Sequence, residues 1–192
     1  MMNKRDLIAA GAALAAVSLL ASGCTTTSGA GGDPAAQRAA IDSAADSALS
    51  RLYREAPGSQ QLVASAKGTL VFPSLVSAGF IVGGGSGQGV MRKGGKSTSF
   101  HRMTEASVGL LAGAQSQAVF ILFLTDEALQ RFESSRGWTV GADGSVALLN
   151  VGATAQVTSQ TAQQPIVGYV LTNGGLMANL SLNGNRITPL SI

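Results

Sequence analysis

The segment Gln117–Leu124 limits the possible folds of this chain more than any other. Val119, Ile121 and Phe123 fall on one side of an extended strand, and Phe120, Leu122 and Leu124 fall on the other. Successive side chains of a strand point to opposite faces. Apolar residues on both faces therefore place this strand inside a sheet that is covered twice.

The surrounding sequence supplies the rest of that sheet and its cover. Thr69–Val76, Ala78–Val82, Ser97–Met103, Ser107–Ala114, Trp138–Val140, Val146–Val151, Ile166–Leu171 and the alternating run Leu176–Leu182 read as strands. Asp143-Gly144 and Asn183-Gly184 supply hairpin turns. Ahead of the strands, Asp33-Pro34 is a helix start, with a capping acceptor followed by proline at the first helical position. Ile41, Ala45, Ala48, Leu49 and Leu52 then recur on one stripe, with Arg38, Asp42, Asp46 and Arg54 on the other face. Pro57-Gly58 ends that helix, and a second short one spans Ser59 to Lys67. Thr125 caps a third helix, Thr125–Ser134, whose first turn carries Asp126 and Glu127. The expected class is α+β, with N-terminal helices packed on a curved, barrel-like antiparallel β-sheet.

The first residues follow a different logic. Lys4 and Arg5 precede an apolar run, Leu7–Leu20, that is too short to cross a bilayer as a helix. Residues 1–23 thus read as a signal peptide. Ser22-Gly23-Cys24 resembles a bacterial lipobox, which makes Cys24 the expected lipidation site. Several acyl chains on one residue form an anchor that does not readily detach. Thr25, rather than Asp, after the cysteine points by the same resemblance to the periplasmic leaflet of the outer membrane. Residues 24–32 form a Thr/Ser/Gly-rich tether, and 33–192 make a single domain.

Composition excludes several function classes. Charged residues make up 12% of the chain and the net charge is +3, too sparse for the basic footprint of a nucleic-acid binder. One Cys and one His cannot build an internal disulfide or the usual zinc sites. The acids are scattered, with no cluster suited to Ca²⁺ or Mg²⁺. The glycine series Gly83-Gly84-Gly85-Ser86-Gly87-Gln88-Gly89 fits neither a phosphate loop nor a nucleophile elbow, because Val90 and Gln88 stand where glycine is required. Those glycines read instead as a bend or a close approach within a curved sheet. His101 reads as a surface or edge residue without a marked catalytic partner. No enzyme and no cofactor are expected.

The distribution of charge is more informative. No acid occurs between Glu55 and Glu105, yet Lys67, Arg92, Lys93, Lys96 and Arg102 lie there. Three of these five flank Gly94-Gly95 in one turn. Near an anionic bilayer each such cation is worth about 1 kcal/mol. The same turn is also what a solvated hairpin tip looks like.

A series of short motifs then resembles a known family. They are Ala66-Lys67-Gly68 before Val71-Phe72-Pro73, Ala78-Gly79-Phe80 before the glycine series, Val108-Gly109-Leu110 with Gly113-Ala114-Gln115, and Phe123-Leu124-Thr125. Gly137-Trp138, Asp143-Gly144-Ser145-Val146 and Gly175-Leu176-Met177-Ala178 through Leu180-Ser181-Leu182 follow in order. Together they resemble the SYLF domain, also called the yeast-type actin regulator or Las17-binding module, over roughly residues 38 to 190. The resemblance implies binding of anionic phospholipids, with Lys67 in the family's Ala-Lys-Gly step. Arg92, Lys93, Lys96 and Arg102 join it on charge alone. It does not carry over actin, which a periplasmic protein never meets. The expected partner is an anionic phospholipid membrane. The alternative is a structural or protein-interaction module of the envelope, with an envelope protein as partner.

Overall fold

The computed structural model describes residues 33–79, 82–108, 113–149, 164–172, 175–176 and 182–192. The signal-peptide, tether and Cys24 readings therefore lie outside the described residues. Residues 33–192 form one compact unit. Both of its apolar clusters and all described strand pairings lie within it, so this unit carries its own core.

Helix α1 spans Pro34–Glu55. Asp33 caps it by accepting the Ala35 N–H at 3.0 Å. Its buried residues are Ile41, Ala45, Ala48, Leu49 and Leu52, the stripe read from the spacing. Helix α2, Ser59–Ser65, follows. Four long strands come next: β1 (Gly68–Gly79), β2 (Val82–Lys93), β3 (Lys96–Val108) and β4 (Gly113–Phe123). Helix α3, Asp126–Glu133, is capped by Thr125, whose hydroxyl accepts the Ala128 N–H at 3.2 Å. The short strands β5 (Trp138–Thr139), β6 (Ala147–Leu148), β7 (Ile166–Thr172), β8 (Gly175–Leu176) and β9 (Arg186–Pro189) complete the described elements.

The nine strands form one sheet in the order β5-β9-β3-β2-β1-β4-β7-β6, with β8 also on β7. It curls into a half-barrel. β4 lies inside it and is covered twice, as its sequence requires. Val119, Ile121 and Phe123 pack with α3 and Trp138 on one face. Phe120 and Leu122 pack with α1 and α2 on the other.

Several expectations about individual strands need correction. The sheet is mixed rather than wholly antiparallel, because β6 pairs with β7 in parallel. The glycine series, read as a bend or a close approach within a curved sheet, is itself strand: β2 runs through it, paired with β1 and β3 on either side. Ser107–Ala114 is not one strand, since its described ends close β3 and open β4. Asp143-Gly144 does not join paired strands, because β5 pairs with β9 and β6 with β7. There the Asp143 carboxylate instead accepts the Thr139 N–H at 2.6 Å. β9 carries no strong strand signal, being four residues long and ending in proline. The interior of the alternating run, 177–181, lies outside the described residues.

Pro73 sits in a central strand, where a residue without an N–H would normally break a ladder. Both ladders of β1 shift register around it, between Val71 and Ser74 toward β2 and between Phe72 and Leu75 toward β4. The shift changes the phase of the strand. Leu70 and Phe72 face the α3 side before it, and Leu75 faces that side after it.

Candidate functional site

The structure gathers four of the five candidate cations at one end of the sheet. Arg92 and Lys93 end β2, Lys96 begins β3, and Lys67 precedes β1, where Thr69 pairs with Arg92. Arg102 lies six residues further along β3, about 20 Å away at roughly 3.3 Å per residue.

The hairpin between β2 and β3 pairs Lys93 with Lys96 across Gly94 and Gly95. Both glycines have positive φ, 55° and 78°, the combination that a two-residue turn of this hand demands. A Cβ on either would meet nothing within 4 Å, so this tip stands open.

Acids from outside the acid-free stretch return to most of these cations in three dimensions. Arg92 reaches α1: its Nη1 lies 2.5 Å from Asp46 Oδ1, and its Nη2 donates to the Asp42 carbonyl at 3.0 Å. Asp42 also accepts the Ser97 hydroxyl at 2.5 Å. Lys93 Nζ lies 2.5 Å from Glu133 Oε1 at the end of α3. Lys67 Nζ lies 3.3 Å from Asp126 Oδ2 at the start of α3. Helix α3 is thus tied to the sheet by a lysine at each end.

The pairs differ in how firmly they hold. The Arg92 side chain is only 12% exposed, so it is committed to the fold. Lys67 and its partner are 48% and 63% exposed, and Lys93 and its partner 37% and 36%. Exposed pairs of that kind contribute about 0–1 kcal/mol and exchange partners easily. Lys96 and Arg102 are exposed and form no ion pair among the described residues.

His101 is not the surface or edge residue expected. It is buried, with its ring 5.1 Å from Phe132 of α3 and its Nε2 2.9 Å from Ser99 Oγ. Burial pushes its pKa down to about 4, against a smaller upward pull from Glu133. It belongs to an aromatic group of Phe123, Phe132 and Trp138 under α3.

Beside the hairpin, on the α1 face, lies a groove of about 700 Å³. Leu49 and Tyr53 of α1, Val63 of α2, and Ala66 give it apolar walls, while Arg92 and Gly95 lie toward the turn. Burial raises the Tyr53 hydroxyl above its ordinary pKa, with Arg92 acting in the opposite direction. Sequence reasoning did not find this groove. Its only local signal was the α1 stripe, and Tyr53 stands next to that stripe rather than on it.

The family model of Ysc84, described as Las17-binding protein actin regulator, matches residues 104–191. That stretch runs from the second half of β3 through α3 to the end of β9. A search of curated proteins found no match.

Proposed function

We propose that this chain, whose residues 104–191 match the Ysc84 family model, is a lipid-binding or protein-interaction module that holds anionic phospholipid headgroups at the hairpin end of the sheet. In this reading Cys24 is acylated and anchors the protein to the periplasmic leaflet of the outer membrane, with residues 25–32 as tether. The protein works without catalysis and without a cofactor.

The observation that carries the reading is the gathering of Lys67, Arg92, Lys93 and Lys96 around one open turn. Lys96 is free to meet a phosphate, with Arg102 as an outlying contact further along β3. Lys67 and Lys93 can exchange exposed carboxylates for a lipid phosphate at small cost. Arg92 is different, because a headgroup would have to displace two aspartates from a nearly buried guanidinium. Arg92 therefore supports the site rather than touching lipid.

The test is co-sedimentation of residues 33–192 with neutral and with anionic vesicles, each at low and high salt. Binding to anionic vesicles alone, lost in salt, is expected. Lys96→Glu together with Arg102→Glu should abolish it while the circular dichroism stays unchanged. Unaltered binding by that double variant would remove these residues from the site.

One feature favours a second reading, an envelope interaction module held by lipid but docking a protein. Val76 of β1 is 50% exposed, an unusual position for a large apolar side chain in a central strand. Crosslinking in whole cells should then recover a stoichiometric protein partner, and Val76→Ser should reduce its yield.

A further inference from the structure

At the end of the sheet away from the basic hairpin, one cross-strand row carries a charge that the fold does not pair. Gln115 of β4 pairs with Ser77 of β1, Ser77 with Gly85 of β2, and Gly85 with Glu105 of β3. Paired residues share a face of the sheet, and Leu75, two residues before Ser77, packs in the α3 cluster. The row therefore lies on the α3 side. A Cβ on Gly144 would stand 2.7 Å from Trp138 of β5 and 3.3 Å from Ile166 of β7, both members of that same cluster. Those strands come from opposite halves of the strand order, so the α3 side is the inside of the half-barrel. Gly85 precedes Lys93 by eight residues, which puts the row about 26 Å from the hairpin at roughly 3.3 Å per residue.

Two groups in this row lack the partners that buried polar groups normally have. Ser77 is 7% exposed, yet its Oγ has no hydrogen-bond partner. Such an orphan costs desolvation free energy with no bond in return. Glu105 makes no ion pair among the described residues, and residues 68–91 and 103–130 contain no Lys or Arg. Its side chain folds over the neighbouring strand. A Cβ on Gly85 would stand 2.6 Å from Ser77 Oγ and 2.9 Å from Glu105 Cδ. Hydroxyl and carboxylate thus converge on the space that glycine leaves. Gln115 flanks Ser77 on the other side, and Gln117 lies diagonal to it on the same face. Gln115 is exposed and Glu105 partly so, which brings solvent to the row.

The chemistry of this set selects a small cation with several donors. One carboxylate, one hydroxyl and two amide carbonyls offer a single negative charge and neutral acceptors on either side of it. An ammonium group matches them with one positive charge and three N–H donors. Ca²⁺ and Mg²⁺ would bring more charge than one carboxylate neutralises.

We propose that this row binds a primary ammonium group on a slim alkyl stem, with Glu105 as its counter-ion and Ser77 Oγ as an acceptor, in the space above Gly85. The partly exposed Glu105 side chain turns aside to admit it. The site stands apart from the hairpin and does not depend on the lipid reading. A free alkylamine and a lysine side chain of another protein present the same group.

The probe is butylammonium chloride, titrated at neutral pH into isotope-labelled residues 33–192 and followed by NMR. The amides of Ser77, Gly85 and Glu105 should shift saturably and together. Tetramethylammonium keeps the charge without an N–H, and butanol keeps the stem without the charge, so neither should move them. Glu105→Gln preserves the shape and should weaken binding about tenfold or more. Ser77→Ala should weaken it about threefold. Its urea midpoint should stay level or rise, because the deleted hydroxyl bonds nothing in the free protein. A merely structural Ser77 would not separate affinity from stability in that way. Nα-acetyl-lysine methylamide distinguishes the sources: affinity equal to that of butylammonium supports a protein lysine, and binding of butylammonium alone supports a free amine. Absence of saturable shifts, an equal response to tetramethylammonium, or unchanged affinity in Glu105→Gln overturns the site.

Discussion

Arg92 and Lys93, adjacent in β2, carry their charges to opposite faces of the sheet and to different helices. Arg92 is held by Asp42 and Asp46 of α1, and Lys93 by Glu133 of α3. The alternation of a strand makes this unavoidable once both residues lie in it. A dipeptide that looks like one basic patch in the sequence is therefore two clamps, one for each layer of cover. Beyond Gly95, Lys96 forms no ion pair among the described residues.

The two clamps should differ in strength. Arg92→Met leaves two aspartates facing a nearly buried gap and removes a charged donor to the Asp42 carbonyl. Such bonds are worth roughly 1.5–3 kcal/mol, and about 2 kcal/mol of stability should be lost. Lys93→Met breaks an exposed pair and should cost less than about 1 kcal/mol. Urea unfolding midpoints measured on both variants decide the point. Equal losses would mean that Arg92 is no more embedded than its neighbour.

The glycines of β2 divide in a way that unfolding also resolves. A Cβ on Gly89 would stand 2.5 Å from both the Phe72 ring and the Val71 carbonyl oxygen, and the carbonyl belongs to a paired strand that cannot retreat. Gly89→Ala should cost about 1–3 kcal/mol, the usual range for overpacking. At Gly84 the nearest atom is the Glu105 oxygen at 3.3 Å, so Gly84→Ala should cost about 1 kcal/mol or less. If both substitutions are tolerated alike, close packing is not the reason for glycine at 89.

How much of this could be read in advance follows from the range of each signal. The α1 stripe, its Asp33 cap, the Thr125 cap and the two-faced β4 are written within a few residues, and each stands where the spacing put it. The strand through the glycine series was hidden because glycine has no side chain to show alternation. What makes glycine necessary at 89, Phe72 and Val71, lies on another strand. The same limit hid the clamps: Asp42 and Asp46 looked like a solvated helix face until β2 brought Arg92 to them. His101 was misread for a related reason, since its burial depends on where α3 lands. The motifs carried the resemblance to the SYLF domain, whose family model matches residues 104–191, without revealing any of these contacts.

The twofold cover of β4 makes its own prediction. Phe120 faces the α1 layer and Phe123 the α3 layer, and both are fully buried. Phe120→Ala and Phe123→Ala should each cost about 3–5 kcal/mol. Near-ultraviolet circular dichroism should separate them. The Trp138 ring is 6.3 Å from Phe123 and on the face opposite Phe120, so its signal should change strongly only in the Phe123 variant. Equal change in both would contradict two separate layers.

His101 should make the fold sensitive to mild acid. Its Nε2 is satisfied by Ser99, but its Nδ1 is buried without a partner and its ring lies against Phe132. The folded state therefore favours the neutral ring, with a pKa lowered from 6.5 to about 4. Above pH 6.5 the histidine is neutral in both states and contributes no pH dependence. Between 6.5 and about 4 the unfolded chain takes up a proton that the fold refuses, so stability falls as the pH falls. Each tenfold difference in proton affinity between the two states is worth about 1.4 kcal/mol, so the loss levels off below about pH 4 at about 3 kcal/mol. His101→Gln keeps a hydrogen-bonding group for Ser99 but cannot titrate. Subtracting its urea stability from that of the parent at each pH cancels the carboxylates common to both proteins. The difference should be flat above pH 6.5 and slope through the interval below it. A flat difference throughout would show that the ring accepts its proton as readily under α3 as in the unfolded chain.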